Sequence, residues 1–307
     1  MSNVLHGIKH LGDRRMRSQA RVANKDYNEL DNSNSQYSQL TTHYDGKYNV
    51  GWYYMNAQPR PCFTSTLLDQ INDYQQNIKS EMQATDQQKY NYLVLASNVE
   101  GIFNLGGDLA VFFELIKQQH REGLLAYAIK CIKVLHQNMN HLDSRLTTIS
   151  LVQGDALGGG FEAALSSNIL VAERETKLGL PEVLFNLFPG MGAYSLLSRK
   201  LNGAKAEEII MSGKLYSAEE LYDLGVVDIL AEKGEGELAI YRYIESSNRK
   251  FNSHNAIRQV RDVCNKIPYQ ELLDITNIWV DSALKLTQKD LRMMERLVMR
   301  QNTKGNK

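Results

Sequence analysis

Two segments of this chain repeat one pattern, and that pattern limits the fold. Tyr92–Ser97 (YLVLAS) and Thr147–Gly154 (TTISLVQG) are compact apolar runs of strand length. Each leads into a glycine-bearing segment, FNLGGDL over Phe103–Leu109 and ALGGGFE over Ala156–Glu162, and each of these opens a helical pattern. A third apolar run, Asn168–Glu173 (NILVAE), follows the second helix. Short strands alternating with loops and helices predict an α/β domain. The stretch GIFNLGGDL is expected to be a loop. From Asp108 to about His141 the pattern is helical, with Gly123 as the expected break.

The flanking segments are read the same way. Residues 1–38 are polar and carry Arg14, Arg15, Arg17 and Arg21, which predicts a partly flexible extension with one short helix. Leu40–Asn56 reads as a hairpin turning at Asp45-Gly46. A helix follows, capped by Thr64 or Ser65, with Leu67, Leu68 and Ile71 on one face. SAEELYDLGVVDIL predicts a helix with a Ser217/Glu220 capping box and then a short strand. From about Gly234 to Gln301 three or four amphipathic helices are expected.

Composition narrows the function. Of 307 residues, 35 are basic and 35 acidic, so there is no net charge to suggest nucleic-acid binding. Cys62, Cys131 and Cys264 are odd in number and widely spaced, which argues against a disulfide framework or zinc site and fits a reducing cytoplasm. The N-terminal residues lack the apolar core of a secretory signal, and no run of about 18 apolar residues predicts a membrane span.

Chemistry concentrates at the two glycine loops. Helix N-termini leave N–H groups unpaired, and glycine lets a ligand approach the main chain. Two such N–H groups from separate loops suit one developing oxyanion, although tight turns and close helix packing also account for glycines. GxxxxGK[ST] is absent, and GDALGGG lacks the GxGxxG spacing, so neither a phosphate loop nor NAD is expected. Glu162 and Glu182 each stand in the first turn of a helix, the latter after Pro181, among apolar neighbours. Either serves as a favourable charge at a helix start, or the two form an acid/base pair whose pKa values are pushed apart. Other candidates carry less. Among His6, His10, His43, His120, His136, His141 and His254 there is no HExxH; Ser166-Ser167 lie outside a GxSxG elbow; Cys62 reads as a core thiol; Asp108 and Asp155 read as cap or loop residues.

These motifs resemble the crotonase (enoyl-CoA hydratase/isomerase) superfamily. FNLGGDL is similar to its F-x-A-G-x-D-L loop, GDALGGGFEAALSSNILVAE to its G-x-A-x-G-G-G-x-E-L helix and strand, and LGLPEVLFNLFPGMG to its P-E-x-x-x-G-x-x-P-x-x-G segment. Within it, MNAQPRPCFTSTLL, GIFNLGGDLAVFFELI and LFNLFPGMGAYS resemble the diffusible-signal-factor synthases. Leu105, Phe185, Asn186, Phe188 and the polar extension depart from ordinary hydratases.

The resemblance implies a spiral fold of ββα units: an extension at 1–38, a core at 39–233 and a C-terminal helical trimerisation region at 234–307. It places oxyanion donors on the backbone N–H of Gly107 and Gly159 and proton transfer on Glu162 and Glu182. Phe161, Leu184, Phe185, Leu187, Phe188 and Met191 are candidates for the acyl pocket, or plain core. No cofactor or metal is implied. The implied substrate is a 3-hydroxyacyl thioester on acyl carrier protein (ACP) or CoA, dehydrated to a cis-2-enoyl product and hydrolysed to a free fatty-acid signal in the cytoplasm. A homotrimer or dimer of trimers and a signal-sensor partner also belong to this expectation, with neither nucleic acid nor a membrane span. An ordinary enoyl-CoA hydratase, or a crotonase-fold protein that regulates by binding a partner, are the other readings.

Overall fold

The computed structural model describes residues 36–84 and 88–305, so the basic cluster at Arg14–Arg21 lies outside the described residues. The chain begins with an antiparallel hairpin of β1 (Leu40–Asp45) and β2 (Val50–Met55). Its turn is longer than Asp45-Gly46 alone. The Asp45 carboxylate accepts the N–H of Lys47 (2.9 Å) and Tyr48 (3.3 Å), and left-handed Asn49 (φ 55°) returns the chain to β2. Helix α1 (Ser65–Ala84) is capped by Thr64, whose Oγ1 accepts the Leu67 N–H at 3.1 Å.

A repeating unit then sets the architecture. β3 (Tyr92–Ser97) is followed by β4 (Ile102–Asn104), then α2 (Leu109–Lys117) and α3 (Arg121–Met139). β5 (Thr147–Val152) is followed by β6 (Asp155–Leu157) and α4 (Gly159–Leu165). β7 (Ile169–Glu173) is followed by β8 (Lys177–Gly179) and a 3₁₀ turn at Pro181–Phe185. Each unit gives its first strand to one sheet, ordered β1-β2-β3-β5-β7-β10 with β10 at Ile229–Ala231, and its second to another, ordered β4-β6-β8-β9 with β9 at Leu215–Ser217. Neighbours from β2 to β10 in the first sheet are parallel, as are β4, β6 and β8 in the second. This is the crotonase spiral of ββα units. The corner between β5 and β6 needs glycine, because a Cβ on Gly154 would run into the backbone of Gly101 and Ile102.

Two expectations are corrected. The stretch after β3 is not all loop: Ile102–Asn104 pairs with β6. The helix break falls at Gln118–His120, not at Gly123. Gln119 is left-handed (φ 54°), and His120 Nδ1 caps the second helix at the Gly123 N–H (2.8 Å).

The remaining elements are α5 (Ala193–Lys200), α6 (Gly203–Ser212), β9 (Leu215–Ser217), α7 (Ala218–Asp223) with its Ser217/Glu220 capping box, β10 (Ile229–Ala231), α8 (Gly236–Arg249), α9 (Phe251–Cys264), α10 (Tyr269–Ala283) and α11 (Gln288–Gly305). One face of the large sheet meets α8 through Trp52, Val94, Ile149, Leu151, Ile240 and Ile244. The main core joins both sheets to α1, α3, α10 and α11, so Leu272, Trp279, Val280 and Met294 are buried with Leu68, Phe112 and Phe161. Burial of this apolar surface supplies the main stabilising term at roughly 25 cal/mol per Å².

Candidate active site

The second strands of the units end close together, and each releases a loop toward one cavity. After β4, Asn104 Oδ1 accepts the Gly106 N–H (2.8 Å), Pro61 O accepts the Leu105 N–H (2.8 Å), and Gly106 O accepts the Phe63 N–H (2.8 Å). Asp108 then caps α2, accepting from Ala110 N (3.2 Å) and Val111 N (3.3 Å), while Arg60 Nη2 holds both its oxygens at 2.9 and 2.8 Å. The Tyr127 hydroxyl accepts the Asp108 N–H (3.1 Å) and donates to Phe63 O.

After β6, Gly158 (φ 53°) starts α4, its N–H bonded to Gly179 O at 2.8 Å. The two loops touch: a Cβ on Gly106 (φ 89°) would stand 2.8 Å from Leu157 O and 2.9 Å from Gly159 N. Among the described residues the N–H groups of Gly107 and Gly159 meet no backbone carbonyl. Two free N–H groups on adjoining loops are what an oxyanion requires.

Glu162 lies one turn into α4 and is 1% exposed. Its Oε1 accepts the N–H of Met191 (2.9 Å) and Ala193 (3.0 Å). It therefore caps α5, whose own cap residue, Gly192, has no side chain to do so. Glu182 is half-buried as a residue, but its carboxyl is enclosed: Oε1 lies against Gly158, and Oε2 is out of reach of solvent with no partner. Burial raises both carboxyls. Glu162 rises to about 7, restrained by its two N–H donors. Glu182 rises to about 8, pushed first by burial and then by the charge of Glu162. The pair titrates as a unit, and burial favours the neutral form of each carboxyl.

Both glutamates and both glycines line one partly open cavity of about 70 Å³. Of the apolar candidates, Phe185, Leu187 and Met191 line it, and Phe161, Leu184 and Phe188 do not. Phe161 lies about 100° around the helix from Glu162 and is fully buried in the core. Leu184 is 57% exposed on the outside of the 3₁₀ turn, beside Gly213. Left-handed Asn186 (φ 60°) reverses the chain between Phe185 and Leu187, and Phe188 packs half-buried against the core instead.

The structure adds wall residues that no local pattern marks: Leu68 from α1, Phe112, Tyr127 and Cys131 from the α2–α3 pair, and Trp279 from α10. Gly190 gives Trp279 its place, since a Cβ there would strike the indole. Cys62 and Cys131 are buried thiols, with burial pushing Cys62 up to about 12, and Cys264 is exposed. Among the described residues no group of three or more His, Cys, Asp or Glu could hold a metal ion, and no helix is long and apolar enough to cross a membrane.

Comparison with known proteins places this geometry. The chain is 36% identical over 143 residues to the peroxisomal fatty acid beta-oxidation multifunctional protein AIM1 of Arabidopsis thaliana, covering 47% of this chain and 19% of that protein. It is 31% identical over 163 residues to the mitochondrial methylglutaconyl-CoA hydratase of Rattus norvegicus, covering 53% of this chain and 50% of that one. The matched segments thus span half or less of these relatives. Among solved structures, enoyl-CoA hydratase from Bacillus halodurans superposes with a TM-score of 0.71 at 16% identity, over 85% of this chain and all of that one. Pseudomonas aeruginosa DspI superposes with a TM-score of 0.61 at 23% identity, over 76% and 82%. These two likenesses concern the fold. Residues 69–299 match the enoyl-CoA hydratase/isomerase family as a whole, and the chain belongs to that family.

Proposed function

We propose that the chain removes and adds water across C2–C3 of an acyl thioester, and that its working direction is dehydration of a 3-hydroxyacyl group on acyl carrier protein. The observation that carries the chemistry is the unequal support of the two glutamates beside two free N–H groups. Glu162 has two N–H donors for its charge; Glu182 has an orphaned oxygen suited to carrying a proton. In hydration, Glu162 takes a proton from water as its oxygen bonds to C3, and Glu182 gives its proton to C2. Between these steps the thioester oxygen carries enolate charge and rests on Gly107 and Gly159 N–H. Dehydration runs the same path in reverse from the other one-proton state, Glu162 protonating the leaving hydroxyl and Glu182 taking the C2 proton.

Two further observations support the finer reading. The resemblance of LFNLFPGMGAYS and the segments around it to the signal synthases points to a cis-2-unsaturated product. Release as free acid then needs water attack at the thioester carbon, with the same N–H pair holding the oxyanion. In addition, Lys289, Arg292 and Arg296 are exposed and spaced three and four apart, which forms one basic face on α11. The inner face of that helix covers the 3₁₀ turn of Glu182 and the Gly107 loop. A basic face on the outer side of the helix that covers the site suits an acidic carrier. The exposed Phe251, Ile257, Val260 and Val263 on α9 support association through the 234–307 region into trimers or dimers of trimers. A sensor partner and a cytoplasmic location complete this reading.

Ordinary enoyl-CoA hydratase activity is the second reading, favoured by the match to methylglutaconyl-CoA hydratase. Mass spectrometry of products from long-chain 3-hydroxyacyl carrier protein and from its CoA counterpart separates the two. Free cis-2-enoic acid from the carrier substrate is expected, and a trans-2-enoyl-CoA product alone favours the hydratase. Glu162→Gln and Glu182→Gln are each expected to lower kcat by about 100-fold or more. Full activity in either would refute the two-carboxylate mechanism.

A further inference from the structure

The oxyanion loop is held from the far end of the chain. Gln301, on α11, is 4% exposed, and its Nε2 donates to Leu105 O at 3.1 Å and Gly107 O at 3.2 Å. Two acceptors fix the orientation of the amide, since a flip would set Oε1 against both carbonyls. The placement matters because of where those carbonyls lie. The N–H of Gly107 belongs to the peptide between Gly106 and Gly107, whose carbonyl is held by the Phe63 N–H. Leu105 O and Gly107 O belong to the peptides on either side. Gly106 and Gly107 lack side chains that would restrain those planes.

We propose that Gln301 is a positioning residue for the oxyanion hole: its amide locks both flanking peptides so that the Gly107 N–H faces the cavity. Three successive carbonyls, 105 to 107, are then all engaged, and the N–H cannot rotate away without breaking one of these bonds. The C-terminal helix thereby becomes part of the catalytic apparatus, not only a cover. This inference rests on the thioester reading of the site.

The test compares Gln301→Met, which keeps the bulk and loses the donors, and Gln301→Glu, with the wild type. Turnover is measured with the thioester, carrier-bound or CoA-bound, that the wild type converts. Carbonyl polarisation is read by infrared difference spectra of a saturated acyl thioester labelled with ¹³C at its carbonyl on the same carrier. Gln301→Met is expected to lower kcat about 10-fold with KM within about 2-fold, a smaller loss than removal of a hole donor itself. The bound carbonyl stretch should move to higher frequency. Gln301→Glu places a carboxylate against two carbonyls, so its activity relative to wild type should be lowest at high pH and recover as acidification restores a donor. Unchanged kcat and stretch in Gln301→Met would overturn the proposal. So would lost kcat with an unmoved stretch, which marks a purely structural role. A wild type that neither binds nor converts either thioester would instead overturn the reading of the site on which the proposal rests.

Discussion

The two loops that meet at the cavity are built by different means. The loop at 156–162 is held through its main chain: strand β6, the bond from Gly158 N to Gly179 O, and glycines pressed against their neighbours. The loop at 103–109 adds to two main-chain bonds, with Pro61 and Phe63, a set of side chains from elsewhere: Arg60 on Asp108, Tyr127 on Phe63 and Asp108, and Gln301 on Leu105 and Gly107. The difference predicts how each fails. A loop held by backbone tolerates no added side chain. A loop held by side chains loosens in steps as each brace is removed.

Gly158→Ala should have the largest effect. The added methyl meets the Glu182 carboxyl directly, and a φ of 53° strains any residue other than glycine. A displaced acid together with a displaced N–H should lower kcat/KM by about 100-fold or more while the fold is retained, since reacting groups misplaced by about 1 Å lose that much. Near wild-type turnover in a folded Gly158→Ala protein would break the comparison at its backbone side.

Tyr127→Phe tests the braced side. It leaves the Phe63 carbonyl and the Asp108 N–H buried without a partner, which costs roughly 1–3 kcal/mol for each unsatisfied group. A lower Tm and a loss in kcat of roughly 10-fold are expected, smaller than for Gly158→Ala because Arg60 and Gln301 remain. If Tyr127→Phe proved worse in kcat than Gly158→Ala, the loops would not differ as argued.

The same contrast explains what the sequence discloses. GGGFE is legible because its glycines, a helix start and Glu162 lie within a few residues of one another. The long strands were legible from apolar runs, and the Ser217/Glu220 cap from its spacing. Strands β4, β6 and β8 are three residues each, too short for any alternation to register, and the helix break depends on one left-handed residue, Gln119. The wall of the cavity was legible only in part. Phe185, Leu187 and Met191 share an apolar segment with Phe161, Leu184 and Phe188, and only the left-handed turn at Asn186 and the rotation of α4 sort them. Gln301, Tyr127 and Trp279 carry no local signal at all, since their meaning lies in contacts between distant segments.

A smaller effect tests the outer face of the helix that braces the second loop. Arg292→Glu with Arg296→Glu reverses two exposed charges on the side of α11 away from the site. Carrier-bound substrate should lose roughly 5- to 10-fold in kcat/KM, mostly in KM and less at high salt, as expected of steering by surface charge. Turnover of a CoA substrate should fall less. An equal loss for both carriers, or none, would remove this face from carrier recognition and leave α11 with its inner role alone.

The smallest expected effect concerns stability, and it separates Glu182 from the loop it touches. The carboxyl of Glu182 is raised in the folded protein, to about 8, above the ordinary value of 4.5. A group raised in this way favours folding fully below its unfolded pKa, and that contribution is lost as pH climbs from about 4.5 through 8. Above that window the folded protein must bear a buried charge beside Glu162. Glu182→Gln removes this cost while keeping the shape. Its Tm should exceed that of the wild type at pH 8.5 by a few degrees, at about 2–4 °C per kcal/mol for a domain of this size, and the gain should shrink as pH falls toward 5. The cavity would then be more stable without its acid than with it, as expected where a carboxyl is buried for chemistry and not for packing. A gain independent of pH would assign the effect to packing against Gly158 instead.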